Sequence, residues 1–228
     1  MNSTYDNLDD ILIFDDIISS EYQDWLLKTV DNKELLWARS DSIVSQDPKL
    51  HNDSRNGFAN VRSLYYIEDG GLDLITMEEY GEIRAKDIPL LNCFFPLLLK
   101  FVRPLNIKTL MRLRLRVTPA MGTNQIQLPH IDLFYPNSWN IIYYLNDTDG
   151  DTVIYDERSG NRNEMDLILS KNIWNIKKRV TPKKGRAVAF KGDLFHSSSY
   201  SKDKSRFIVN INVCENLTKP AENMLKYV

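Results

Sequence analysis

Four side chains in this sequence have types and spacing that could do chemistry: His130, Asp132, His196 and Arg206. The first two form a His-x-Asp triplet within Leu128 to Leu133. His196 follows 64 residues after Asp132, and Arg206 opens the run to Val213 ten residues later. Two imidazoles and one carboxylate on a single metal face suit iron(II). They leave coordination positions open for a co-substrate and dioxygen. An arginine beyond them suits the far carboxylate of a dicarboxylate, because its fork meets two oxygens at once. Zinc accepts the same ligand types and is the minor alternative.

Such a site needs strands to build it. In a strand, residues two apart share a side, so His130 and Asp132 can face one ion while Ile131 points away. His196 must then arrive from a distant strand or loop. A lone His-x-Asp arises often by chance, but two of the three histidines sit in this pattern. The third, His51, lies in a polar stretch and reads as solvated. On the Arg206 strand, Arg206, Ile208, Asn210 and Asn212 share one face. An inward polar face is costly unless it meets a ligand or partner. Alone it would read as a solvated face; beside the triad it reads as a carboxylate clamp. Tyr144 shares a face with Asn140 and Ile142, and its hydroxyl would donate to the same carboxylate. Otherwise it is a core aromatic. Arg112, Arg114 and Arg116 alternate with apolar residues. They line the mouth of the site or form a solvated sheet face, and the clean apolar face opposite favours the solvated reading.

The remaining pattern supplies that scaffold. Ile11 to Phe14 reads as a short strand, and Ser19 or Ser20 caps a helix using Tyr22, Trp25, Leu26 and Val30. Ser40 to Asn60 reads as a long loop. Val61 to Ile67 reads as a strand ended by Asp69-Gly70-Gly71, and Leu72 to Arg103 as helix-rich. Ile88 to Leu99 is apolar but too short for a bilayer, so it reads as core. Strands are expected at 111–117, 140–145, 152–155, 172–180, 186–190 and 206–213, the pattern of a sandwich or jelly roll. The segments Ser40 to Asn60 and Asp156 to Ser170 are candidate substrate covers, or else plain surface.

Composition sets the outer bounds. With 43% hydrophobic and 26% charged residues, the chain is of the soluble globular class. A net charge of −2 gives no general attraction for nucleic acid or an anionic membrane. Cys93 and Cys214 are two cysteines in apolar settings, too few for a disulfide framework, and read as buried structural thiols. With no secretory or transit pattern in the first ten residues, a cytoplasmic location is expected. One domain, 1–228, is expected, with a helix-rich part at 1–107 and a β core at 108–213.

These motifs resemble the iron(II)/2-oxoglutarate-dependent dioxygenases, particularly their prolyl 4-hydroxylase-like branch. Three further stretches carry the likeness: Ile142-Tyr-Tyr-Leu-Asn146; Asp149-Gly-Asp-Thr152, similar to a Gly-Gly-x-Thr turn; and Pro182 to Phe190. The resemblance covers roughly Lys108 to Val213. It implies a double-stranded β-helix with N-terminal helices packed against it, and iron at its open end. His130, Asp132 and His196 would be the metal ligands. 2-Oxoglutarate would chelate the iron, with its C5 carboxylate on Arg206 and Tyr144 and ascorbate as an accessory. Oxidation to succinate and carbon dioxide would accompany hydroxylation of an unactivated carbon of a peptidyl proline, an amino acid or a small metabolite. Collagen-type relatives carry lysine where this chain has Arg206. The tyrosine common before His-x-Asp is replaced here within Arg116-Val-Thr-Pro119, where Arg116 or Thr118 would supply the polar contact. Asn212 stands where nucleic-acid demethylases have a second arginine, which disfavours a nucleic-acid substrate. The alternative from another class is a non-catalytic β-helix module that holds a metal or small ligand.

Overall fold

The computed structural model describes residues 9–40, 59–171 and 173–215. The chain runs β1 (Ile11–Phe14), α1 (Ser20–Val30), β2 (Ala38–Ser40), β3 (Ala59–Asp73), β4 (Glu79–Lys86), α2 (Ile88–Asn92) and α3 (Phe95–Val102). It continues with β5 (Thr109–Thr118), β6 (Ser138–Tyr144), β7 (Thr152–Arg158), α4 (Arg162–Lys171), β8 (Ile176–Val180), β9 (Ala187–Lys191), β10 (Leu194–Ser198) and β11 (Arg206–Cys214). The major sheet has the order β1-β9-β6-β11-β5-β3-β2, with β4 paired to β3. The minor sheet is β10-β7-β8. All ladders between these strands are antiparallel. The protein is mainly β, with a jelly-roll core.

Alternation sorts each central strand into two faces. On β6, Trp139, Ile141 and Tyr143 join Val209 and Ile211 of β11 and Leu113 and Leu115 of β5 on the outer side. There they pack against Leu26 of α1 and Leu97, Leu98 and Phe101 of α3. The inner face puts Ile142, Tyr144, Ile208, Val188 and Phe190 against Ile154, Val180 and Leu194 of the minor sheet. The apolar face expected on β5 is therefore the one that buries the helices. Its polar face turns into the roll.

Several local expectations change. The strand read as ending at Gly70-Gly71 continues through it to Asp73. Those glycines serve close approach: a Cβ on Gly70 would lie 1.8 Å from the Tyr80 carbonyl oxygen. Register shifts on both neighbouring ladders mark a bulge there. The stretch read as helix-rich opens with the hairpin strand β4, whose residues are nearly all exposed. The strand expected from residue 172 starts at Ile176, and α4 precedes it. Ser19 caps α1 by accepting from the Tyr22 amide at 3.4 Å. Trp25 of that helix is exposed and stacks on Tyr22, while Gln23 is buried instead and donates to the Ile18 carbonyl. Cys214 is buried and Cys93 only partly so; both are free thiols. Most of the expected long loop, His51 included, lies outside the described residues. No helix among the described residues is long and apolar enough to cross a membrane.

Candidate metal and co-substrate site

His196 lies on the strand β10, one of the two settings, distant strand or loop, expected for it. The segment at His130 pairs with it through two backbone hydrogen bonds, His130 N to His196 O at 2.9 Å and His196 N to His130 O at 3.0 Å. This bridge sets the two imidazoles side by side, with ring centroids 4.4 Å apart. Ile131 turns the other way, into a cluster with Val153, Tyr155 and Phe195. Asp132 returns to the inner side. Its Oδ1 lies 3.7 Å from His130 Nε2 and its Oδ2 lies 4.0 Å from His196 Nε2. One ligand atom from each of the three lies within 4.8 Å of the others.

The surroundings of Asp132 overturn the solvated reading of the β5 arginines. Arg112 is buried and brings Nη2 to 3.1 Å from Asp132 Oδ1; Arg114 Nη2 stands at 3.6 Å. From β11, Asn210 and Asn212 donate to Oδ2 at 3.0 and 3.2 Å. Asn212 also accepts from Arg112 Nε at 2.8 Å and donates to Asn140 at 2.5 Å. The sequence reading missed these roles for Arg112, Arg114, Asn210 and Asn212. One signal was available: β5 and β11 each carry one apolar and one polar face. Once the two strands pair and bury their apolar faces together, both polar faces must share the opposite side.

Protonation states follow from burial and charge. Burial, then the neighbouring His196, pushes His130 down to about 3. Burial also lowers His196. Burial alone would raise Asp132, but Arg112, His196 and Arg114 together hold it well below the usual carboxylate range. The three groups are thus two neutral imidazoles and one ionised carboxylate near neutral pH. That is the state in which all three present lone pairs to a cation. His130 Nδ1 faces the Leu128 carbonyl at 3.3 Å, so that nitrogen can carry the ring proton and leave Nε2 free.

A second cluster closes the other end. Arg206 and Thr152 are buried, and Arg206 Nη2 donates to Thr152 Oγ1 at 2.6 Å. Tyr144, also buried, donates to the same oxygen at 2.7 Å. Arg206 Cζ lies 5.4 Å from the Tyr144 ring centroid. The two donors fill both acceptor sites of the threonine hydroxyl, so its own proton is left to give. Arg206 Nε is buried without a partner among the described residues. Thr152 belonged to a recognised turn motif, but its place between Arg206 and Tyr144 was not read from the sequence. Of Asp156 to Ser170, a candidate substrate cover, Arg158, Ser159 and Gly160 line a cavity with Leu133 to Ser138, while α4 turns elsewhere. Met165, Ile168 and Leu169 of α4 pack behind the minor sheet, on the side opposite His196.

The donor set fits a divalent ion with mixed imidazole and carboxylate preference, with iron(II) favoured on ligand chemistry. Residues 115–214 match the family model described as 2OG-Fe(II) oxygenase superfamily. No curated protein matches the chain by sequence. Among solved structures, it is similar to the non-heme alpha ketoglutarate dependent epimerase SnoN from nogalamycin biosynthesis. That match has a TM-score of 0.56 and 11% identity, covering 91% of this chain and 79% of that one. It is also similar to a Trichoplax adhaerens prolyl hydroxylase in complex with a hypoxia inducible factor peptide fragment. There the TM-score is 0.53 at 14% identity, covering 90% and 84%. A Pseudomonas putida prolyl-4-hydroxylase gives a TM-score of 0.50 at 12% identity, covering 91% and 93%. At these identities the likeness is one of fold.

Proposed function

We propose that this chain, whose residues 115–214 match the model of the 2OG-Fe(II) oxygenase superfamily, is an iron(II)- and 2-oxoglutarate-dependent hydroxylase. The observation that carries the reading is the convergence of His130, Asp132 and His196, with the Arg206–Thr152 pair set apart from them on the same inner face. Bound iron(II) and 2-oxoglutarate would supply the reductive activation of dioxygen, with succinate and carbon dioxide as co-products. His130, Asp132 and His196 would hold the metal. Arg206 Nε and the Thr152 hydroxyl proton would meet the C5 carboxylate of 2-oxoglutarate, and Tyr144 would brace that pair by donating to Thr152. Arg112, Arg114, Asn210 and Asn212 orient the Asp132 carboxylate and keep it ionised. The burial of His130, His196, Arg112 and Arg206 strengthens these electrostatic contacts. The substrate would be a small molecule or a peptide, hydroxylated at an unactivated carbon; a prolyl substrate is one member of that class. Ascorbate would serve as an accessory reductant.

The test is turnover of labelled 2-oxoglutarate to succinate by protein reconstituted with iron(II). The reading expects slow iron-dependent decarboxylation even without substrate, abolished in His130→Ala. Wild-type protein that binds zinc tightly and yields no succinate would instead favour the non-catalytic binding module.

A further inference from the structure

The inner face of β5 and β11 holds more positive charge than the proposed reaction uses. Among the described residues four guanidiniums lie there, Arg112, Arg114, Arg116 and Arg206, with the Asp132 carboxylate set among them and the charge of Asp151 acting on Arg206. Arg112 and Arg114 are turned to Asp132, and Arg206 to Thr152. Arg116 is the one left over. It stands opposite Ile208, one inner position along from Arg206. Its Nε and Nη2 are withdrawn from solvent and have no hydrogen-bond partner among the described residues. Burial, followed by the charge of Arg206, pushes it down to about 10, so it remains a cation near neutral pH.

A guanidinium with two idle donors withdrawn from solvent is costly unless something fills them. Nε and Nη2 form the side-on edge of the group, whose two parallel N–H bonds match the two oxygens of a carboxylate. The C5 carboxylate of 2-oxoglutarate already has Arg206 Nε and Thr152 to receive it. We infer that Arg116 receives a carboxylate of the primary substrate, so that the substrate class is a small carboxylic acid presented side-on to this edge. The inference rests on the hydroxylase reading and narrows its substrate.

The experiment uses the anaerobic full-chain protein with iron(II) and 2-oxoglutarate, read by its visible charge-transfer band. Acetate, benzoate and N-acetyl-L-proline serve as probes, with acetamide, benzamide and N-acetyl-L-prolinamide as neutral counterparts and inorganic phosphate as a second anion. The carboxylates are expected to shift the wild-type band, and the amides to leave it in place. Arg116→Gln should keep the band and its 2-oxoglutarate midpoint, which shows a folded site. Its carboxylate response should need about tenfold higher concentration or vanish. Arg116→Lys, which keeps the charge but loses the fork, should fall between. Equal carboxylate responses in wild type and Arg116→Gln, or none in wild type, overturn the inference. A raised 2-oxoglutarate midpoint in Arg116→Gln overturns it too, by placing Arg116 on the co-substrate. A phosphate response stronger than any carboxylate response overturns the carboxylate class. Wild-type protein without the band fails earlier, at the hydroxylase reading itself, and the inference falls with it.

Discussion

Asp132 meets two guanidiniums and two carboxamides inside the roll, all on β5 and β11. These donors fix the carboxylate plane and hold its charge, which a metal ligand needs and a merely structural ion pair does not. Replacing Arg112 by Met, close in length but uncharged, should weaken iron(II) affinity by about 10- to 100-fold, the usual effect of losing a group that orients a ligand. An unchanged iron titration would remove Arg112 from that role. At the far end, Arg206→Ala should raise the 2-oxoglutarate concentration needed for half-maximal turnover by about tenfold or more, since it removes a charge-assisted contact. Tyr144→Phe should have the smaller effect, because its hydroxyl proton goes to Thr152. The two kinetic profiles, side by side, check the order. Acid should also act on the metal-free protein through His130. Its folded pKa is about 3 against an ordinary 6.5, so below about pH 6.5 the unfolded chain binds a proton that the folded chain refuses. Stability is then lost as pH falls from 6.5 toward 3. Thermal melts of metal-free protein between pH 7 and 5 should show a falling midpoint, less steep in His130→Gln.

The strands explain why some of this was legible and some was not. Period-two alternation on β5, β6 and β11 identified the strands and their two faces, and the same alternation placed Ile131 away from His130 and Asp132. What alternation cannot say is which face turns inward. For β5 that depended on α3 and α1 covering the apolar side, a contact made across the chain. The arginines were therefore read as solvated, when burying Leu113 and Leu115 against the helices had put them inside. β10 was missed because Leu194 to Ser198 is short and carries only mild strand propensity. Its pairing with β7 and the His130 bridge define it. β3 was read as ending at Gly70-Gly71, since paired glycines usually mark a turn. Here they admit Tyr80 and Thr109 at close range. The covered outer face should be costly to perforate. Ile211→Ala, fully buried in β11, should lower unfolding free energy by about 2–5 kcal/mol in a denaturant titration. A loss under about 1 kcal/mol would mean the face is less tightly packed than the structure shows.

Over the whole molecule, the two sheets divide the work. The major sheet supplies Arg206 and the donors to Asp132, and its outer face is braced by α1, α2 and α3. The minor sheet supplies His196 and Thr152, and α4 covers its back. The site forms only where the sheets face each other. The central claim is that this enclosed face binds iron(II) and 2-oxoglutarate together. Its most direct measurement is anaerobic titration of metal-free protein with iron(II), then 2-oxoglutarate, watching the visible spectrum. The account predicts one iron per chain and a charge-transfer band that appears only with both, is absent in His196→Ala and is weakened in Arg206→Ala. A spectrum unchanged by 2-oxoglutarate, or a band that survives in His196→Ala, would contradict it.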